Sequence, residues 1–185
     1  MFAIRQMDNL NLILHKNPDI KPKSYPKGKI LQYAGELSDK VFYVKSGLLK
    51  SYTIDDKGKE HIFLFAPEGW IISDIGSDVL EKEAELFIET LEESEVVSLS
   101  RKDALAGDFN TEQLTKTQRL LFRRITVLQR RLIMMMSATA QERYEHFLET
   151  YPALPNRVPQ RMIASYLGIT PEALSKIRGK MARTK

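Results

Sequence analysis

The chain has 185 residues, 43% of them hydrophobic and 28% charged, with a formal net charge of +4. That is the balance of a soluble folded protein of one or two domains with ample material for a core. Cysteine is absent, which excludes disulfides, Cys-ligated iron–sulfur clusters, thiol redox chemistry and Cys-type zinc sites.

His15, His61 and His146 are scattered without ligand-like spacing, so no metal site and no cofactor are expected. No HExxH, Gly-rich phosphate loop or Ser/His/Asp set suggests a catalytic site, and the chain is not expected to be an enzyme. No run approaches the roughly 20 apolar residues of a membrane span. The N-terminal stretch lacks the apolar core of a signal peptide, so a cytoplasmic location without membrane contact is expected.

Charge divides the chain. Residues 111–185 carry 14 Lys/Arg against 5 Asp/Glu, whereas residues 1–110 carry 14 against 19. An acidic front and a basic back is the asymmetry expected when only the back meets nucleic acid.

In chain order, residues 3–16 predict a short helix closed by Asn17-Pro18. Lys21-Pro22 and Tyr25-Pro26 then mark extended chain. From about Gly28 to Leu99, the segments KILQYA, VFYVKSG, LLKSYTID, EHIFLFA, ELFIETL and EVVSLS predict strands. They are short, rich in β-branched and aromatic residues, and largely alternating. Gly35, Ser46-Gly47 and Asp55-Asp56-Lys57-Gly58 supply turns between them. Such spacing implies a β-sandwich or barrel-like roll, either filled or holding a ligand. Residues 70–83 interrupt the roll, where a ligand-binding loop or short helix fits. Trp70, the only tryptophan, is expected in the core or a lid. Residues 101–110 predict a short helix and turn.

A long helix is expected from Thr111 to Ser137, a stretch without Gly or Pro. Leu114, Leu121, Leu128 and Met135 recur every seven residues, and Ile125 and Leu132 fill the alternate positions, with Gln118 polar. This is a coiled-coil seam, the other reading being a helix lying on its own domain's core. Arg123, Arg124, Arg130 and Arg131 flank it and are expected to be solvated. A homodimer through this seam would set two C-terminal hairpins about one DNA turn apart, ~34 Å. Thr139 to Tyr151 predicts a further helix, closed by Pro152.

Residues 158–180, VPQRMIASYLGITPEALSKIRGK, predict two short helices around a tight turn. Ile163, Ala164 and Leu167 face inward on the first. Gly168 gives the positive φ of a helix end, Thr170 caps the second helix, and Pro171 and Glu172 suit its first turn. Leu174, Ile177 and Met181 form its apolar stripe. From Arg157 onward there are seven Lys/Arg and one acid, Glu172. This is the grammar of a helix-turn-helix whose second helix enters a DNA major groove, the plain alternative being an αα-hairpin. Thr170 and Pro171 open the helix at its DNA-facing end. Ser175 and Lys176 are placed to read base edges, while Arg161, Arg178 and Lys180 neutralise phosphates.

A β-roll, a long dimer helix and IASYLGITPEALSKIR, in that order, resemble the CRP/FNR family of transcription regulators across nearly the whole chain. Phe42-Tyr43-Val44-Lys45-Ser46-Gly47 and Leu91-Glu92-Glu93-Ser94-Glu95-Val96 resemble strands of the family's roll. The resemblance implies an α+β fold. Its parts would be an effector-sensing antiparallel roll of double-stranded β-helix type (residues 1–110), a dimerisation helix (111–137) and a DNA-binding domain (138–185).

The resemblance also implies a near-palindromic double-stranded operator, RNA polymerase as a partner, and base contacts from Glu172, Ser175 and Lys176. Pro171 stands where the family often has an arginine. The family's ribose-binding Gly-Glu pair falls on Ser73-Asp74, and its phosphate-binding Arg-Ser pair falls on Ala84-Glu85. With Trp70, these residues outline the candidate pocket. Ala84 supplies no cation and Glu85 brings a like charge to a phosphate, which argues for a small-molecule effector other than a cyclic nucleotide. The sequence given shows no strand pattern for the family's C-terminal wing. The alternative is a small-molecule-binding sensor module that signals through a protein partner rather than DNA.

Overall fold

The computed structural model describes residues 20–100 and 111–183, which fall into two compact units. The expected helices at residues 3–16 and 101–110 lie outside the described residues.

The first unit is built from β1 (Lys23–Tyr25), β2 (Ile30–Gln32), β3 (Lys40–Ser46), β4 (Leu49–Ile54), β5 (Glu60–Ala66), β6 (Ile71–Ile72), α1 (Ile75–Val79), β7 (Phe87–Thr90) and β8 (Ser94–Ser100). All pairings are antiparallel, in two four-stranded sheets of order β1-β8-β3-β6 and β2-β7-β4-β5. Strand alternation sends one face of each sheet inward. Phe42, Val44, Ile72 and Val96 of the first sheet meet Leu49, Ala66 and Ile88 of the second in one buried cluster. Trp70 is partly buried against that cluster.

β1 and β6 are the two strands not expected from pattern. Each is short, and each exists by pairing: Lys23–Tyr25 with Ser94–Val96, and Ile71–Ile72 with Phe42–Tyr43. Gly47, at φ 92°, turns β3 into β4; a side chain there would collide with Ser94 and the Glu93 carbonyl.

Lys50, only 2% exposed, places its ammonium between Glu60 and Glu89, 3.3 Å from the latter and 3.9 Å from the centre of the Tyr52 ring. Burial, then the Glu89 and Glu60 carboxylates, push the Tyr52 phenol pKa upward.

The second unit comprises α2 (Thr111–Ser137), α3 (Ala140–Thr150), a 3-10 turn at Leu154–Asn156, α4 (Gln160–Leu167) and α5 (Pro171–Arg183). A capping box opens α3: the Thr139 hydroxyl accepts from Glu142 N, and the Glu142 carboxylate accepts from Thr139 N. Tyr144, Phe147, Tyr151, Leu154, Val158, Ile163, Ala164, Leu167 and Leu174 are buried. Tyr166 packs its ring against Phe147 and Tyr151. The three C-terminal helices therefore share one aromatic and aliphatic core.

Candidate functional site

The helix-turn-helix forms where its residues indicate. Gly168 ends α4 in the left-handed region, at φ 66° and ψ 35°, and its N–H donates to the Ala164 and Ser165 carbonyls. Thr170 Oγ1 accepts from Ala173 N at 3.2 Å, so its side chain caps α5.

Leu174 is fully buried and fixes the inward face of α5, while Ile177 and Met181 are half-buried beside it. The opposite face carries Pro171, Glu172, Ser175, Lys176 and Lys180, all exposed; Arg178 is half-buried. Arg161 is exposed near the start of α4. The Glu172 carboxylate accepts from its own N–H and from the Thr170 hydroxyl, with Lys176 one turn on. Together these hold its pKa below the usual carboxylate range. Ionised at neutral pH, it can accept hydrogen bonds but not donate them, and it repels other anions.

The long helix has the expected bounds. Among its described side chains, Ile125 and Leu132 are 57% and 62% exposed, and Phe122, Leu128, Ile133, Met135 and Met136 are also exposed. Leu114 and Leu121 lie outside the described side chains. The C-terminal end of the helix departs from expectation. Arg131 is not simply solvated: its guanidinium lies 4.1 Å over the Tyr166 ring, and Nη2 donates to the Tyr166 carbonyl at 3.3 Å. Met135 Sδ is 3.6 Å from Arg143 Nη1, which also donates to the Leu167 carbonyl at 2.8 Å. The Arg131–Tyr166 and Arg143–Leu167 contacts span 35 and 24 residues, and no sequence period announces them.

In the roll, residues 70–86 hold the sensor candidates. Asp74 is buried and caps α1: Oδ1 accepts from Ser77 N at 3.2 Å, and Oδ2 accepts from Glu85 N at 2.8 Å and Leu86 N at 3.0 Å. Three of about four lone-pair sites on the carboxylate are thus taken by main-chain amides of its own segment. Ala84 is buried, its N–H donating to the Glu36 carbonyl and its carbonyl accepting from Gly35 N. Ser73 is half-buried and Glu85 is exposed. Chain order alone does not reveal that Asp74 ties the start of α1 to the residues leading into β7.

A two-sheet roll followed by a long helix and a basic helix-turn-helix defines a class of protein, the sensor-domain transcription regulator. Residues 22–106 match the model of the cyclic nucleotide-binding domain. The fumarate and nitrate reduction regulatory protein of Vibrio cholerae is 26% identical over 197 aligned positions, covering 97% of this chain and 74% of that protein. Its counterpart in Escherichia coli K12 is 27% identical, with the same coverage. The solved structure of FixK2 from Bradyrhizobium japonicum superposes with a TM-score of 0.70 at 22% identity, covering 89% of this chain and 85% of that one. The chain is similar to these regulatory proteins along nearly its whole length, and it is a DNA-binding transcription regulator.

Proposed function

We propose that the chain works as a homodimer, joined through α2, that reads a near-palindromic operator with α5. The exposed polar face of α5, set opposite buried Leu174, carries this reading. Glu172, Ser175 and Lys176 stand on the part of the helix that would face base edges. Arg161, Arg178 and Lys180 supply phosphate contacts, and Thr170 and Pro171 shape the helix start. The exposed stripe including Ile125, Leu128 and Leu132 supports the seam, because so much apolar surface on one helix is covered when a second copy packs on it.

The roll is the regulatory domain, with an effector that is not a cyclic nucleotide. None of Trp70, Ser73, Asp74, Ala84 and Glu85 carries a cation for a phosphate, and Asp74 is already engaged. Effector or partner binding at the roll would act by repacking the seam and changing the tilt of the paired α5 helices; RNA polymerase is the partner at the promoter.

The test begins by selecting a duplex from a random pool with the purified chain. Binding is then followed by fluorescence anisotropy at two salt concentrations, with and without cyclic AMP. Expected are sequence-selective, salt-dependent binding, one dimer per duplex, and no change with cyclic AMP. Equal binding to selected and scrambled duplexes would sink the operator reading. A cyclic-AMP-induced gain would sink the effector reading.

A further inference from the structure

The last turns of α2, including the seam position Met135, make a group of contacts within their own unit that the reading face does not explain. Arg131 stacks on Tyr166 and donates to its carbonyl. Arg143 donates to the next carbonyl, that of Leu167, and its Nε is buried with no hydrogen-bond partner among the described residues. Both carbonyls sit in the last turn of α4, where main-chain acceptors lack intrahelical donors and cations are favoured. The Met135 methyl lies 2.8 Å from where a Cβ on Gly168 would stand. Two guanidiniums and a thioether thus grip the end of α4 and the turn that launches α5.

The grip shares its helix with the seam. Arg131 and Met135 are four residues apart and lie on one face of α2. Leu132 follows Arg131 directly, about 100° around the helix axis. Any roll of α2 that repacks Leu128 and Leu132 against a second copy therefore sweeps Arg131 and Met135 through an arc, and the turn at Gly168 must follow.

We infer that Arg131 is a positioning residue for DNA recognition: its stack on Tyr166, beside the Arg143 cap on α4, sets the angle at which the reading helix leaves the dimer helix. Arg131 itself touches no base. The inference rests on the homodimeric operator reading above. It differs from that reading in what it governs, which is the tolerated distance between half-sites rather than the affinity of one half-site.

The experiment uses the full chain and three kinds of duplex. These are the near-palindrome selected by the unsubstituted protein, versions with one base pair added or removed between half-sites, and a single half-site with the other scrambled. Arg131→Gln should lower full-site affinity on the order of tenfold and flatten the dependence on half-site spacing, leaving half-site affinity unchanged. Arg131→Lys, which keeps a cation near the ring, should restore much of the spacing dependence.

Equal losses on full and half sites would make Arg131 a DNA contact and overturn the inference. So would an Arg131→Gln protein as strict about spacing as its parent. Should circular dichroism show that Arg131→Gln unfolds, Tyr166→Leu carries the same expectation, because it removes the π face but keeps apolar packing on Phe147 and Tyr151. If the unsubstituted protein binds its selected duplex as a monomer, the homodimeric reading falls and takes this inference with it. Strict spacing in both proteins removes the inference alone.

Discussion

Asp74 and Glu172 are both acidic residues at the start of a helix, and they are used in opposite ways. Asp74 is buried in the roll and gives its oxygens to three main-chain amides from two separated stretches. Glu172 is exposed, bonded to its own N–H and the Thr170 hydroxyl, and held ionised on the outer face of α5. The two units differ in the same sense. The roll closes on itself, down to a lysine enclosed between two glutamates. The helical unit leaves an apolar stripe on α2 and a basic face on α5 uncovered. Where charge is consumed by the chain it specifies the fold; where it is left outside, a partner supplies what is missing.

The largest effect should come from spoiling the outward side. Leu132→Glu puts a charge into the exposed stripe of α2 without touching the roll. Dimer dissociation should then lower affinity for a full operator by about 10³-fold, the contribution of linking two reading heads. Sedimentation and anisotropy would measure it. A Leu132→Glu protein that stays dimeric would place the interface elsewhere.

Asp74→Ala tests the inward side. The amides of buried Ser77, exposed Glu85 and half-buried Leu86 lose their acceptor, which should cost about 3 kcal/mol in roll stability. Trp70, the only tryptophan, packs on the roll's core, so its fluorescence reports melting of that unit. Helical ellipticity at 222 nm reports chiefly the other unit. The expected pattern is an early fluorescence transition with the helical signal and DNA affinity unmoved. A DNA defect in folded Asp74→Ala protein would show that the roll's internal ties also govern the reading head.

Lys176→Met sharpens the comparison within α5. Loss of a base-edge contact should cost about 1.5 kcal/mol, near tenfold, on the selected duplex and much less on random DNA. Lys180→Met should instead weaken both duplexes alike and reduce the salt slope by about one. Reversal of the two patterns would exchange their roles.

The helical unit was more legible in the sequence than the roll because its signals are local. Thr111–Ser137 lacks Gly and Pro and keeps a seven-residue repeat. Gly168, Thr170 and Pro171 mark a helix end, a cap and a first turn within four residues. In the roll, strands with clear alternation were evident, but β1 and β6 were not, since their identity lies in the strands they pair with. The same limit hid the contact at Arg131. Its partner Tyr166 is 35 residues away, and an arginine beside a seam looks like a solvated one until the two helices are placed. Asp74 was legible as an acid near a pocket but not as a residue already spent on Glu85 and Leu86.

The smallest expected effect is a pH dependence of the helical unit. Burial, then the nearby Arg130 guanidinium, lower the His146 pKa from its usual value; Glu149 opposes them. Its imidazole also faces the Thr150 hydroxyl, 3.4 Å from Nδ1. A depressed folded-state pKa means that the unfolded chain takes up the proton first. The stability due to the neutral ring is therefore complete above the ordinary histidine pKa of about 6.5. It is lost as pH falls from there through the lower folded-state value. Glu142, whose pKa is lowered by its bonds to Thr139, loses its contribution only in the more acidic range of carboxylates. Within the helical unit, the window from about pH 7.5 to 5.5 therefore isolates His146. Melting followed at 222 nm should shift modestly downward across that window, and His146→Gln should flatten the slope. A slope unchanged by His146→Gln would assign the proton to another group.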